Sequence, residues 1–170
     1  MKTRLLFLGP PGAGKGTQAA LICESGGMKH LSTGDLLRGE VAAGTDLGKE
    51  AEAVMNSGEL VSDALVLAIV ESQMKSLSGN GWLLDGFPRT VPQAEALEPL
   101  LAELQQPIEA VVLLDLDDAV LIERLLGRGQ AVGSSSSGLA AVQGMASSAV
   151  RVWEELGRSR GAVSYTHLTL

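Results

Sequence analysis

The chain has 170 residues, 45% of them hydrophobic, which is enough for one domain with a buried core and too apolar for a wholly disordered chain. Its 13 basic and 20 acidic residues leave a net charge of −7, which argues against a general binder of nucleic acid or anionic membranes. The lone Cys23 has no internal disulfide partner, and no stretch approaches the ~20 apolar residues needed to span a bilayer. In chain order, RLLFL at residues 4–8 is a short apolar run that ends at Gly9-Pro10-Pro11, too short for a secretory leader and suited to a buried parallel strand. A helix is expected over 15–24. A short run over 29–32 leads into Thr33-Gly34-Asp35, where Ser32 or Thr33 can cap the next helix. Helices over 47–56 and 63–77 are separated by Asn56-Ser57-Gly58. WLLD at 82–85 reads as a second buried strand, 91–104 as a helix, 110–116 as a further strand, with a helix following to about residue 128. Such alternation implies an α/β fold with a mostly parallel sheet.

Residues 9–18, GPPGAGKGTQ, lie between the first strand and the first helix. Gly9, Gly14 and Lys15 fit the G-x-x-x-x-G-K core of a phosphate-binding loop. Glycines let backbone N–H groups converge on phosphate oxygens, the helix N-terminus adds partial positive charge, and Lys15 can reach the terminal phosphates. Strict versions of the motif follow the lysine with Ser or Thr to hold Mg²⁺. Here Gly16 intervenes and Thr17 comes next. The plainer reading is a glycine turn that only joins strand to helix.

Four further stretches extend the pattern: STGDLLR at 32–38, GELVSD at 58–63, LLDGFPRT at 83–90 and ERLLGRG at 123–129. With GPPGAGKGTQ, and in this order, they resemble the adenylate kinase family of nucleoside monophosphate kinases over residues 1–129. The resemblance implies a three-layer fold of the P-loop nucleoside-triphosphate-hydrolase type, with an inserted helical monophosphate-binding region at about 32–61. It also implies reversible, Mg²⁺-dependent phosphoryl transfer, ATP + AMP = 2 ADP, by a cytoplasmic monomer. Because the acceptor phosphate is already anionic, no general base is required, and the chemistry asks for placed cations and Mg²⁺ to offset repulsion between polyanions.

Carried over by position, the resemblance implies that Gly12, Ala13, Gly14, Lys15, Gly16 and Thr17 hold ATP, with Arg124 and Arg128 on the triphosphate side. Thr33, Arg38, Glu59, Val61, Gly86, Arg89 and Gln93 would surround AMP. Lys15, Arg89, Arg124 and Arg128 would be catalytic, and Asp85 would orient the metal through water. Simpler readings stand beside these. Arg124 and Arg128 are spaced i, i+4 beside Glu123, as on a solvated helix face. Asp85 could cap the turn at Gly86, Arg89 could pair with a surface carboxylate, and Gln93 suits any helix start. Cys23 and His30 are expected to have no metal or nucleophile partner.

After residue 129 the pattern departs. Gln130 stands where an arginine is expected, and AVGSSSSGLAAVQGMASS replaces an acidic segment. Residues 130–170 read as an atypical Ser/Gly/Ala-rich tail of non-native origin, with the family's C-terminal strand and helix missing. VSYTHLTL at 163–170 resembles a translated sequencing adaptor. Two other readings therefore accompany the leading one: an inactive nucleotide-binding fragment, and another P-loop nucleotide or small-molecule kinase.

Overall fold

The computed structural model describes residues 3–77, 79–114 and 116–127, together with 144, 147, 151, 152 and 154. Four strands, β1 (Arg4–Leu8), β2 (Lys29–Ser32), β3 (Trp82–Asp85) and β4 (Ala110–Leu113), form one sheet in the order β2-β3-β1-β4. Every pairing is parallel, with Phe7 opposite Asp85, Ser32 opposite Asp85, and Leu8 opposite Leu113. Six helices connect and flank them: α1 (Lys15–Gly26), α2 (Thr33–Ala43), α3 (Asp46–Asn56), α4 (Asp63–Ser76), α5 (Val91–Glu103) and α6 (Asp118–Gly127).

The two-residue period of the strands sorts the core into layers. Leu6, Leu8, Leu31, Trp82, Leu84, Val111 and Leu113 face one side, where they pack with Val70 and Met74 of α4 and Ala94, Leu97 and Leu101 of α5. Phe7 and Leu83 face the other, against Ala19 and Cys23 of α1 and Leu121 and Leu125 of α6. Both faces of the sheet are covered, which is why β4 and the runs Leu5–Leu8 of β1 and Trp82–Leu84 of β3 are continuously apolar, whereas β2 (KHLS) buries only Leu31. A third, smaller cluster joins Ala51 of α3 to Leu65 and Ile69 of α4, with Leu36, Leu37 and Val41 of α2 packed on it. This cluster seats the α2–α3 pair on the body of the fold. At their crossing, a Cβ on Gly48 would lie 2.0 Å from the Glu40 carbonyl oxygen, so the two helices approach as closely as they do only because residue 48 is glycine.

The strands and helices fall close to their expected places, with three differences. Lys29–Ser32, read in the sequence only as a short run, forms β2 because it pairs in parallel with β3. The strand expected over 110–116 ends at Leu113, opposite Leu8, the last residue of β1, and the Leu114 N–H donates to the Leu8 carbonyl. Ser32 occupies the N-cap position of α2 but makes no side-chain cap bond. The expectations for Arg128 and for the absent C-terminal strand and helix lie outside the described residues. Val152, however, is fully buried in the same cluster as Leu6 and Trp82, so part of the segment after residue 129 belongs to the core.

Candidate active site

The turn after β1 is built by glycine at each step. Gly9 has φ +148 and a Cβ there would lie 2.6 Å from the Leu114 carbonyl oxygen, while Gly12 and Gly14 have φ +85 and +86. Gly14 is the N-cap of α1 and supplies no side-chain bond. The contrast with α3, α4 and α5 is informative. Thr45 accepts from Gly48 N at 3.0 Å, Ser62 from Leu65 N at 3.2 Å and Thr90 from Gln93 N at 3.4 Å. An uncapped helix start at the end of a glycine loop offers its first N–H groups to an anion.

The loop borders a cavity of about 620 Å³ at the carboxyl ends of β1, β2 and β3, where open parallel sheets place their ligands. Lys15, Thr33, Asp85, Gly86 and Arg89 all line it, along with Ser32 and Pro88. Lys15 Nζ donates to the carbonyls of Gly9 at 2.8 Å and Pro10 at 3.0 Å. Burial pushes its ammonium below the usual 10.5; Asp85 pulls it back up, and Arg89 pushes it further down. An arriving polyphosphate would supply the counter-charge this lysine lacks.

Asp85, at the end of β3, accepts from or faces His30 Nε2 at 3.4 Å. A Cβ on Gly16 would sit 3.9 Å from Asp85 Oδ2, so the carboxylate looks across at the first turn of α1. Gly86 follows with φ +87, where a Cβ would lie 2.8 Å from Thr33 Oγ1. Arg89 Nε donates to the Gly86 carbonyl at 2.7 Å, which folds the guanidinium back along the turn; among the described residues it forms no ion pair with a carboxylate. Arg124 reaches from α6 to the other side of the loop, its Nη1 3.4 Å from the Gly12 carbonyl. Buried Ala13 packs beneath the loop, and Thr17 is exposed in the first turn of α1.

The remaining expected residues are set apart from the cavity lining. Arg38 is 70% exposed and bonded to Asp35 at 2.5 Å. Glu59 follows α3, its N–H donating to the Val54 carbonyl, and Val61 packs on the α2–α3–α4 cluster. Gln93 accepts from Arg89 N at 2.6 Å and donates to Asp63 at 2.6 Å. Arg128 is outside the described residues.

The sequence model of the adenylate kinase family matches residues 7–158, most of the chain and past the point where the quoted motifs stop. The chain belongs to the adenylate kinase family. It is 86% identical over 131 residues to the adenylate kinase of Synechococcus sp. (strain CC9902), a match covering 77% of this chain and 72% of that one. It is 84% identical over 130 residues to that of Parasynechococcus marenigrum (strain WH8102), covering 76% and 71%, and 72% identical over 136 residues to that of Prochlorococcus marinus (strain MIT 9303), covering 80% and 74%. As an adenylate kinase it is a nucleoside monophosphate phosphotransferase with an α/β fold, as the sequence motifs imply.

Two features of this adenylate kinase escape the sequence reading. His30, expected to have no metal or nucleophile partner, lies 3.4 Å from Asp85; His30 and Ser32 share a face of β2 and Ser32 is in register with Asp85 of the neighbouring strand, a pairing that emerges only once the strand register is known. The buried Glu40, which accepts from Gln73 Nε2 at 3.1 Å and from Thr45 Oγ1, ties α2 to α4 and to the cap of α3. No motif marks it, since a glutamate in mid-helix ordinarily faces water.

Among the described residues no cluster of three His, Cys, Asp or Glu side chains could hold a metal unaided, and no helix is long and apolar enough to cross a membrane. A single carboxylate facing a phosphate loop suits Mg²⁺, which keeps most of its waters and is held mainly by substrate phosphates.

Proposed function

We propose that this chain catalyses ATP + AMP = 2 ADP with the γ-phosphate of ATP held over the loop of residues 9–18 and AMP seated across the cavity. The observation that carries this reading is the cavity itself: Lys15, Arg89, Asp85 and Thr33 line one space at the carboxyl ends of three strands. Backbone N–H groups from Gly12 to Thr17 cradle the β- and γ-phosphates, Lys15 turns from the loop carbonyls to their oxygens, and Arg124 flanks them, joined by Arg128. Arg38 leaves Asp35 to meet the AMP phosphate together with Arg89. Thr33, Glu59, Val61, Gly86 and Gln93 surround the adenosine.

The AMP phosphate, with a second pKa near ~6, is already the nucleophile at neutral pH. Its oxygen forms a bond to the γ-phosphorus as the bond from that phosphorus to the β,γ-bridging oxygen breaks, and the departing ADP keeps the electron pair. The arginines and Lys15 offset charge on the transferring oxygens, which lowers the barrier without any proton transfer by the protein. Asp85 would hold Mg²⁺ through water, with Thr17 nearby, and the ion supplies charge neutralisation between the phosphates when bound.

The catalytic unit in this reading is residues 1–129, with 32–61 as the monophosphate-binding region and Val152 as a core contact contributed from beyond it. The unit acts as a cytoplasmic monomer. An acceptor panel tests the assignment: ATP, Mg²⁺ and the purified chain are supplied with AMP, GMP, CMP or UMP, and ADP is measured. AMP-dependent ADP formation supports the reading. Turnover with a different acceptor makes this another nucleotide kinase, and ATP binding without turnover on any acceptor makes it a binding fragment.

A further inference from the structure

Gln93 is held at both ends of its amide. Its Oε1 accepts from the Arg89 backbone N–H at 2.6 Å, and its Nε2 donates to Asp63 Oδ1 at 2.6 Å. An ionised carboxylate only accepts and a backbone N–H only donates, so these two partners leave the amide one orientation. A glutamine amide has two N–H bonds and two carbonyl lone pairs. With one of each engaged by the protein, one donor and one acceptor remain.

Those two groups bear on the identity of the base. A 6-aminopurine presents an acceptor at N1 and a donor at N6. A 6-oxopurine presents the reverse, a donor at N1 and an acceptor at O6. A free glutamine meets either by rotating its amide half a turn. Here rotation would set Nε2 against the Arg89 N–H, donor to donor, and Oε1 against the Asp63 carboxylate, acceptor to acceptor. The backbone N–H is present whatever the residue at 89, so Asp63 is the part of the lock that a side-chain substitution can remove.

We propose that Asp63, at the start of α4, is a positioning residue that fixes the Gln93 amide and thereby selects 6-aminopurine over 6-oxopurine monophosphates. The inference rests on the reading above that Gln93 borders the base of the acceptor nucleotide. Asp63 also begins α4 under the Ser62 cap, where an acidic residue favours the helix dipole. A purely structural role of that kind would affect both nucleotides equally. The lock affects their ratio.

The test is the dissociation constant of AMP and of inosine monophosphate, by titration calorimetry, for the full chain and for Asp63→Asn and Gln93→Leu. Binding is measured because it requires no turnover. Asparagine at 63 offers a donor as well as an acceptor and so removes the Asp63 half of the lock, leaving only the Arg89 N–H to oppose the rotated amide. The preference for AMP over inosine monophosphate is expected to fall about tenfold in Asp63→Asn, the value of one hydrogen bond that an unpaired alternative would lose. An unchanged preference in Asp63→Asn, with a collapsed one in Gln93→Leu, overturns the lock while leaving Gln93 at the base. Equal weakening of both nucleotides in Asp63→Asn reduces Asp63 to a helix-start residue and also overturns it. Unaltered binding of both nucleotides by Gln93→Leu removes Gln93 from the base, and the proposal with it.

Discussion

At the scale of single residues, the loop is a place where side chains are removed so that backbone can act. Gly9 shows the constraint most sharply, and Gly86, in the turn after β3, shows it again, because it needs both a positive φ and an empty Cβ position next to Thr33 Oγ1. Gly86→Ala is expected to displace Thr33 or the Arg89 turn, raising the KM for AMP several-fold while the KM for ATP stays near its original value; steady-state kinetics with each substrate varied would show the split. The loop was legible in the sequence since glycine spacing is itself the motif. His30 was not, because its partner lies 55 positions away and is reached only through strand register. Gln93 was legible as a position but not in its bonding, which depends on an aspartate from another helix.

Among the elements, helix starts and strand ends were readable because glycine, proline and capping hydroxyls punctuate them, and the caps at Thr45, Ser62 and Thr90 form as that chemistry dictates. The strand order was not readable, since short strand runs carry no label for their neighbours. Glu109 shows how one edge is pinned: it accepts from Thr3 N at 2.6 Å and Arg4 N at 3.1 Å, and pairs with Arg4 Nη2 at 2.6 Å. These bonds hold its carboxyl below the usual 4.5, the Thr3 backbone bond contributing most. A folded-state pKa below the unfolded one stabilises at pH above the unfolded value, and that contribution is lost as pH falls through the lowered folded value. Glu109→Gln is therefore expected to cost about 1 kcal/mol at pH 7, solvent exposure limiting the effect, and to cost nothing once the acid is protonated in both states. Urea unfolding of the two proteins over a series of pH values from 7 downward measures the convergence. Thr45 plays two parts, as cap of α3 and as donor to buried Glu40, so Thr45→Ala is expected to cost about 1–2 kcal/mol by thermal unfolding and to weaken AMP more than ATP.

For the molecule as a whole, the fold is a covered parallel sheet with a helical pair set to one side of its ligand end. The core reaches beyond the motif-bearing 129 residues through Val152, which has no exposed surface. In the sequence, residues 149–156 (AVRVWEEL) read as one or two amphipathic turns at most, set in a Ser/Gly/Ala-rich stretch that masks any longer apolar period. Val152→Asp would bury a charge among Leu6, Trp82 and Leu101 and is expected to cost about 3 kcal/mol or more, lowering the unfolding midpoint. Removal of residues 163–170 is expected to leave both that midpoint and ADP formation unchanged. The measurement that reaches the central claim most directly is ADP formation by the full chain from ATP, AMP and Mg²⁺, compared with Lys15→Met. The account predicts ADP production that requires AMP and falls about 10²–10³-fold in the variant, as when a preorganised donor to a transferring group is lost. ADP production that ignores AMP, or that Lys15→Met leaves intact, would contradict it.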